Sequence, residues 1–162
     1  MSETTYDIVI LGGGSGGYAA ALRGAQLGMK VALIEADKVG GTCLHRGCIP
    51  TKALLHAAEV ADMARDSEHF GVNASFEGID MARVNAYKDQ IIGKLHKGLQ
   101  GLVGHHNITY VTGWGTLVAE DTVEVDGTRY QGRNIVLASG SYSRTLPGLE
   151  IGGRVITSDQ AL

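Results

Sequence analysis

Two short apolar runs and one alanine-rich segment open the chain, and their order predicts a β-α-β unit. Tyr6 to Leu11 is rich in β-branched residues, which is typical of a strand buried on both faces. After a glycine cluster, Tyr18 to Leu27 has the composition of a helix, and Gly28 is predicted to end it. Val31 to Ile34 predicts a second buried strand that ends at Glu35. Strand, turn, helix and strand together occupy about thirty residues, the usual size of such a unit.

The middle of the chain is predicted to be mostly helical. Gly40 to Gly47, which contains one glycine pair, predicts a loop, and Pro50 marks the start of a helix. Ala53 to Arg65 is rich in alanine and leucine and predicts a helix. Asp80 is a candidate N-cap for a long helix that ends at Val103, because apolar residues recur there at helical spacing.

Three glycines interrupt the long helix and predict a packing contact. Gly93, Gly98 and Gly101 each cost a helix about 1 kcal/mol relative to alanine. We expect them to allow a neighbouring element to approach closely.

From Ile108 onward the apolar residues alternate with polar ones, which predicts strands. The candidate strands are Ile108 to Thr112, Thr116 to Ala119, Thr122 to Val125, Thr128 to Gln131, a buried strand from Asn134 to Ala138, and a short one from Arg154 to Ile156. Asp126-Gly127 is a strong hairpin signal, and Glu120-Asp121 is a weaker one. The pattern predicts one α/β domain with a mostly parallel sheet, flanking helices and a small antiparallel β-meander insert.

Composition narrows the functional classes. The 162 residues carry a net charge of −3, which gives no basic face for nucleic acid or an anionic membrane. Two cysteines are too few for a secreted disulfide scaffold, and no apolar run is long enough to span a bilayer. Glu3 and Asp7 replace the basic flank of a signal peptide. We therefore expect a cytoplasmic protein that binds neither nucleic acid nor membrane.

The glycine cluster indicates dinucleotide binding. Gly12, Gly14 and Gly17 fit the pattern G-x-G-x-x-G between a predicted strand and a predicted helix. The helix start would offer free N–H groups to a pyrophosphate. Glu35 ends the next strand, where a carboxylate accepts hydrogen bonds from a ribose diol.

Cys43 and Cys48 have three interpretations at this point. They are two unpaired buried thiols, two ligands of a zinc site, or a redox disulfide. Only His45 and His56 lie nearby as further zinc ligands, without finger spacing. Arg46 and Lys52 favour thiolate over thiol, and Lys52 in the first turn of a helix opposes the helix dipole unless it faces an anion or an electron-rich group.

The segment Gly40 to Leu55, GGTCLHRGCIPTKALL, resembles the redox-active disulfide segment of the flavoprotein disulfide reductases. Its ending is more similar to the dihydrolipoamide dehydrogenase branch than to glutathione or mercuric reductases. The resemblance extends over essentially the whole chain, but members are roughly three times longer. It implies a Rossmann-like FAD-binding domain over residues 1–162, with a helical segment at 53–104, the meander at 115–131, and no NAD or dimerisation domain.

The resemblance also implies the roles of individual residues. Cys43, Cys48 and Lys52 would be catalytic. The FAD site would comprise Gly12, Gly14, Ser15, Gly16, Gly17, Glu35, Gly41, Thr42, Cys43, Lys52, Gly115, Ser139, Gly140 and Ser141. No residue is expected to bind a metal. Ser139 replaces the family's usual threonine, and His45 and Arg46 replace asparagine and valine, so we expect these two to tune substrate access or thiol pKa.

The activity implied is the oxidation of dihydrolipoamide, carried on a lipoyl domain of a 2-oxoacid dehydrogenase complex. A substrate thiolate would attack Cys43, Cys48 would be released as a thiolate beside the flavin, and electrons would pass through FAD to NAD in a full-length homodimer. The 162 residues alone are predicted not to produce NADH. Another disulfide reductase, or a flavin-binding module without catalysis, remains an alternative.

Overall fold

The computed structural model describes residues 5–162, so Glu3, on which part of the signal-peptide expectation rests, lies outside them. Eight strands and five α-helices are found in this range. They are β1 (Thr5–Tyr6), β2 (Ile8–Leu11), α1 (Ser15–Gln26), β3 (Val31–Glu35), α2 (Gly41–Arg46), α3 (Cys48–Arg65), α4 (Met81–His105), β4 (Thr109–Thr112), β5 (Thr116–Ala119), β6 (Thr122–Val125), β7 (Thr128–Gly132), β8 (Ile135–Leu137) and α5 (Ser158–Ala161), with a 3₁₀ turn at Ser67–Phe70.

A four-stranded parallel sheet forms the centre of the fold, in the order β4-β3-β2-β8. Ile10 of β2 is in register with Leu33 of β3 on one side and with Val136 of β8 on the other. This confirms the predicted α/β class with a parallel sheet. It also places the carboxyl ends of β2, β3 and β8 side by side, where ligands bind in open sheets of this kind.

The predicted first strand is in fact two strands that belong to different sheets. The break falls at Asp7, whose carboxylate accepts a hydrogen bond from the Lys30 N–H at 2.8 Å. Before the break, β1 pairs with β7, and after it β2 enters the central sheet. The second sheet, β1-β7-β6-β5, contains the predicted antiparallel meander. Asp126 and Gly127 have φ values of 48° and 78°, as the predicted hairpin turn requires.

The central sheet is covered on both faces. Ile10, Leu33 and Ala21 pack with Val103 of α4 on the helical face. On the other face, Val9, Ala32 and Ile34 pack against the meander residues Val123 and Val125. Residues of β2 and β3 alternate between these two cores, which explains why the strands read as continuous apolar runs.

The structure corrects the prediction of a loop at Gly40 to Gly47. Residues Gly41–Arg46 form α2, and α3 begins at once with Cys48. Gly40 has a φ of +117°, and Gly41 has one of +60°, so the glycine pair supplies the positive φ values that turn the chain into this short helix. The glycine pair therefore marks the start of a helix.

The long helix α4 confirms one prediction and contradicts others. The Asp80 side chain caps it by accepting hydrogen bonds from the N–H groups of Ala82 and Arg83. The helix ends at His105, two residues later than predicted. The expected close packing at Gly93, Gly98 and Gly101 is wrong: a Cβ added at any of them would meet no atom within 4 Å.

Two further findings concern the described residues. The predicted strand at Arg154 to Ile156 is reduced to one isolated bridge between Gly152 and Val155. None of the helices in 5–162 combines the length and the apolar character that crossing a membrane requires.

Candidate functional site

The turn between β2 and α1 needs glycine at two of its three motif positions for reasons internal to the fold. Gly12 has a φ of +106°, and a Cβ there would overlap the carbonyl oxygen of Ala138. A Cβ at Gly17 would overlap the carbonyl oxygen of Gly12, so the helix could not lie this close to the strand. At Gly14 the nearest atom to an added Cβ is the Gly41 Cα, at 3.9 Å, which is an ordinary contact. The protein itself therefore does not require glycine at position 14, but a ligand close to the backbone would.

The start of α1 can bind an anion. Helix N–H groups in the first turn lack partners within the helix, and the first one satisfied here is Tyr18 N–H, which donates to the Gly14 carbonyl at 2.9 Å. The first turn contains no acidic residue, and both Ser15 and Gly16 are exposed. Over the twelve residues of α1, the aligned peptide dipoles add partial positive charge at this end.

Glu35 connects the end of β3 to the glycine turn. Its Oε2 accepts a hydrogen bond from the Gly13 N–H at 2.6 Å, and its Oε1 accepts one from the Asp37 N–H at 2.8 Å. Each carboxylate oxygen has two lone pairs, so further acceptor sites remain. The half-buried carboxylate is thus fixed in place with capacity to bind hydroxyl donors.

Four of the predicted site residues surround one small cavity at the carboxyl ends of the central strands. The cavity has a volume of about 120 Å³ and is lined by Leu11, Gly12, Ile34, Glu35, Ala36, Gly113, Trp114, Gly115 and Ser139. Glycine is needed at position 115 of this lining, because a Cβ there would lie 3.0 Å from Ile34 Cγ2 and 3.1 Å from Val123 Cγ1. Gly140 and Ser141 follow in an exposed loop and do not line the cavity.

Cys43 and Cys48 form a disulfide, with their Cα atoms 4.7 Å apart. Cys43 lies in α2 and Cys48 is the first residue of α3, so Gly47 connects the two helices that the disulfide joins. Cys43 is half-buried and Cys48 is exposed. Of the three interpretations that the sequence left open, the structure selects the disulfide.

The disulfide segment touches the glycine turn through the backbone. The Gly40 N–H donates to the Gly13 carbonyl at 2.8 Å. A Cβ at Gly41 would lie 2.6 Å from Gly14 Cα, so the two chain segments meet where only glycine fits. The glycine turn and the disulfide segment therefore lie side by side in the fold.

Lys52 lies one helical turn after Cys48 on α3 and is exposed. It takes part in none of the ion pairs found among residues 5–162. Thr51, beside it, donates its hydroxyl hydrogen to the Gly47 carbonyl at 2.7 Å and fixes the first turn of the helix. The spacing of four residues puts Cys48 and Lys52 on the same face of α3.

A second, larger cavity opens beside Cys43. Its volume is about 670 Å³, its walls are largely apolar, and Lys94 is the cation among its lining residues. Its walls come from α1, α2, α3 and α4, with Tyr18, Cys43, Ile49 and Leu95 among them. Cys43 therefore borders a cavity that is separate from the 120 Å³ cavity.

Sequence reasoning missed the contacts that hold the disulfide segment in place. Arg46 forms an ion pair with Asp37 at 3.2 Å, and His45 contacts both the Val39 carbonyl and the ring of His96. Nearby, burial raises the pKa of the Tyr110 phenol above its ordinary value of 10.0, and the charge of Glu35 adds to the effect. No sequence signal places His96 opposite His45, because the two lie in elements that meet only in the folded chain.

Comparison with known proteins gives a consistent result. Residues 6–162 match the sequence profile of the pyridine nucleotide-disulphide oxidoreductase family. The chain is 43% identical to the dihydrolipoyl dehydrogenase of Bacillus subtilis, with 98% of the chain and 36% of that protein covered. It is 42% identical to the dihydrolipoyl dehydrogenase of Thermus scotoductus, with coverages of 98% and 34%. It is also 42% identical to the mitochondrial dihydrolipoyl dehydrogenase of Pisum sativum, with coverages of 94% and 32%. The chain thus spans about a third of the length of these relatives.

Proposed function

The chain belongs to the pyridine nucleotide-disulphide oxidoreductase family, and from that premise we propose that it is the FAD-binding part of a dihydrolipoyl dehydrogenase. Residues 1–162 act as one FAD domain, in which 53–104 is a helical segment and 115–131 is the meander. The relatives' name and the disulfide both support a redox reaction of sulfur.

The residues at the carboxyl ends of β2 and β3 fit a dinucleotide. The first turn of α1, with Gly14, Ser15, Gly16 and Gly17, binds the pyrophosphate through backbone N–H groups. Glu35 accepts hydrogen bonds from the adenosine ribose, and the 120 Å³ cavity that Gly12 and Gly115 line holds part of the adenosine. The loop from Ser139 through Gly140 to Ser141 and the segment from Gly41 to Cys43 contact the rest of the cofactor.

The disulfide is the group that reacts with substrate. A substrate thiolate bonds to the Cys43 sulfur, the Cys43–Cys48 bond breaks, and Cys48 leaves as a thiolate. The second thiolate of the substrate then displaces Cys43 and closes the substrate's own disulfide, so two electrons have moved to the protein. Lys52 stabilises the Cys48 thiolate on the same helix face. FAD, when bound, supplies the two-electron acceptor for this dithiol.

In this proposal the chain is one part of a longer protein. Its relatives are about three times as long, and their name indicates dihydrolipoyl groups as substrate. We therefore assign to the full-length protein the NAD that accepts the electrons, a homodimeric state, and dihydrolipoamide on a lipoyl domain of a 2-oxoacid dehydrogenase complex as partner.

The observation that carries this proposal is the backbone contact between the disulfide segment and the glycine turn. The Gly40 N–H donates to the Gly13 carbonyl at 2.8 Å, directly before the helix that holds Cys43. A dinucleotide bound by the turn extends along this contact, so its far end meets the disulfide. A generic nucleotide site has no reason to bring a disulfide there.

The test is flavin binding by the 162-residue chain. The chain is mixed with FAD and freed of unbound flavin, and its visible absorption is then recorded before and after addition of a dithiol. Retained flavin that develops a long-wavelength thiolate–flavin absorption on reduction supports the proposal. Trp114, the only tryptophan, lines the 120 Å³ cavity, so its fluorescence gives a second reading of occupancy.

Two outcomes would overturn the proposal in different ways. Flavin that is not retained, with unchanged Trp114 fluorescence, removes the cofactor assignment. Flavin that is retained but whose spectrum shows no thiolate interaction after reduction leaves only a flavin-binding module.

A further inference from the structure

Two histidines from different elements meet beside the helix that carries Cys43. His45 lies in α2, two residues after Cys43, and His96 lies in α4. Their ring centroids are 4.9 Å apart with an interplanar angle of 78°, which is an edge-to-face contact. Both residues are half-buried. The contact joins the disulfide segment to the longest helix of the fold.

The surroundings of this pair favour an uncharged ring at His96. His45 Nε2 lies 3.0 Å from the Val39 carbonyl oxygen, and because a carbonyl only accepts, this nitrogen carries the hydrogen. His96 Nε2 is buried and has no hydrogen-bond partner among the described residues. A protonated His96 would need acceptors for both of its N–H groups, and the one at Nε2 has none.

Burial and most of the charges around His96 disfavour its protonated form. Burial lowers the pKa of His96 below its ordinary value of 6.5, and His45 and Lys38 lower it further, while Asp37 opposes them. Asp37 is itself paired with Arg46 of α2, which reduces the negative charge available to a protonated His96. Burial, His45 and Lys38 therefore outweigh Asp37 in disfavouring a proton on His96.

We propose that His45 and His96 are positioning residues that hold α2 against α4 while His96 is uncharged, and that protonation of His96 separates the two rings and loosens the disulfide segment. The inference rests on the proposed redox role of Cys43 and Cys48. It gives disulfide reduction a dependence on pH that the two cysteines do not supply, with faster reduction in acid. His45 stands at the position where the sequence departs from the family's usual asparagine.

The experiment measures the rate at which the disulfide of the full 162-residue chain is reduced, without added flavin. The reductant is tris(2-carboxyethyl)phosphine, which supplies two electrons, takes the oxygen of one water and leaves the two hydrogens on the sulfurs. Thiols are counted by alkylation and mass spectrometry. Each rate is expressed as the ratio of wild type to variant at the same pH, so that the ionisation of the phosphine cancels.

Three variants distinguish a positioning role of His96 from a general effect on the fold. His96→Phe keeps a ring for the edge-to-face contact and removes the titration, whereas His96→Ala removes both. His105→Phe is the matched control, because His105 is an exposed histidine at the far end of the same helix. Circular dichroism at each pH establishes that all chains compared are fully folded.

The reduction rate of wild type divided by that of His96→Phe is expected to be near one at about pH 8. At about pH 5.5 this ratio should rise about three- to tenfold, which corresponds to a shift of about half to one pKa unit. His96→Ala reduces faster than wild type at both pH values, and His105→Phe follows wild type. A ratio that stays constant with pH overturns the proposal, as does a control that behaves like His96→Phe. If His96→Ala does not fold, His96→Phe alone decides. Loss of flavin binding would leave these rates unaffected, so the two proposals fail separately.

Discussion

Glu35 and Gly13, which lie 22 residues apart, are joined by a 2.6 Å hydrogen bond from the Gly13 N–H to the Glu35 carboxylate. The bond fixes the glycine turn against the end of β3 before any ligand binds. A residue that sequence motifs assign to the ribose thus also shapes the phosphate turn. The same carboxylate accepts from the Asp37 N–H, so its loss affects both the fold and the ligand.

Replacing Glu35 with Gln should weaken flavin binding and lower stability together. An amide has one acceptor oxygen, so either Gly13 or Asp37 loses its partner, at a cost of about 1–3 kcal/mol. The charged acceptor for the ribose is lost as well, which should weaken FAD affinity about tenfold or more. Urea unfolding and a FAD titration followed by Trp114 fluorescence measure the two effects. Glu120→Gln, in the exposed β5–β6 turn, is the control and should change neither.

Gly12→Ala should destabilise the chain strongly, because the added Cβ overlaps the Ala138 carbonyl at a φ of +106°. We expect a loss of about 2–4 kcal/mol in the free energy of unfolding, measured in urea. Gly16→Ala is matched to it within the same turn, since a Cβ there meets nothing within 4 Å. Equal losses in the two variants would contradict the geometry described for the turn.

Replacing glycines of α4 with alanine should change the free energy of unfolding in the opposite direction. Gly93→Ala and Gly101→Ala should each stabilise the chain by about 0.5–1 kcal/mol, because alanine favours the helix and the added Cβ has open space. Thermal and urea unfolding give the values. Gly24→Ala in α1 should destabilise instead, since its Cβ would lie 3.2 Å from Val31 Cγ2. Destabilisation at Gly93 or Gly101 would mean that this helix face is covered in solution.

The two cysteines should behave differently once flavin is bound. Cys43→Ser leaves Cys48 as a free thiol, which should give the long-wavelength thiolate–flavin absorption without any reductant. Cys48→Ser leaves Cys43, the cysteine that the substrate thiolate attacks in the proposal, and should give none. Absorption spectra of the two flavin-loaded variants make the comparison, and alkylation should count one thiol in each. Equal spectra would remove the distinction between the two sulfurs.

Asp121 should contribute stability that is lost in acid. Hydrogen bonds from the Gln131 amide at 2.7 Å and the Thr122 hydroxyl at 2.8 Å lower the pKa of its carboxyl below the ordinary 3.8. The contribution is therefore complete above that value and disappears as the pH falls through the lowered pKa of the folded state. Unfolding measured at a series of pH values should show a shallower acid loss for Asp121→Asn. Asp126→Asn, at the neighbouring exposed hairpin turn, should keep the wild-type slope.

Local signals in the sequence were sufficient for most elements. The β2–α1–β3 unit, the Asp80 cap and the Asp126-Gly127 turn each depend on residues close in sequence, and each is confirmed. The cysteine pairing needed more, since composition alone left three interpretations, and the resemblance to a family favoured the disulfide before the structure showed it.

The features that the sequence did not predict correctly depend on contacts between residues far apart in the chain. Helix α2 has only six residues, and its start is fixed by the bond from Gly40 to Gly13 rather than by its own composition. The break at Asp7 arises because the chain on its two sides pairs with different sheets. The glycines inside α4 predict a close contact, but the sequence carries no signal that their face of the helix is open. The meeting of His45 with His96 is of the same kind, because it needs α2 to exist first.

The pairing of β2 has a consequence for the order in which the protein forms during synthesis. Its neighbour on one side, β3, follows closely, but the other neighbour is β8, the last strand of the sheet. A ribosome that has released only the first hundred or so residues has therefore made a strand with one unsatisfied edge. We expect one edge of β2 to stay unpaired in nascent chains until residues 135–137 have emerged, after which β2 becomes an interior strand.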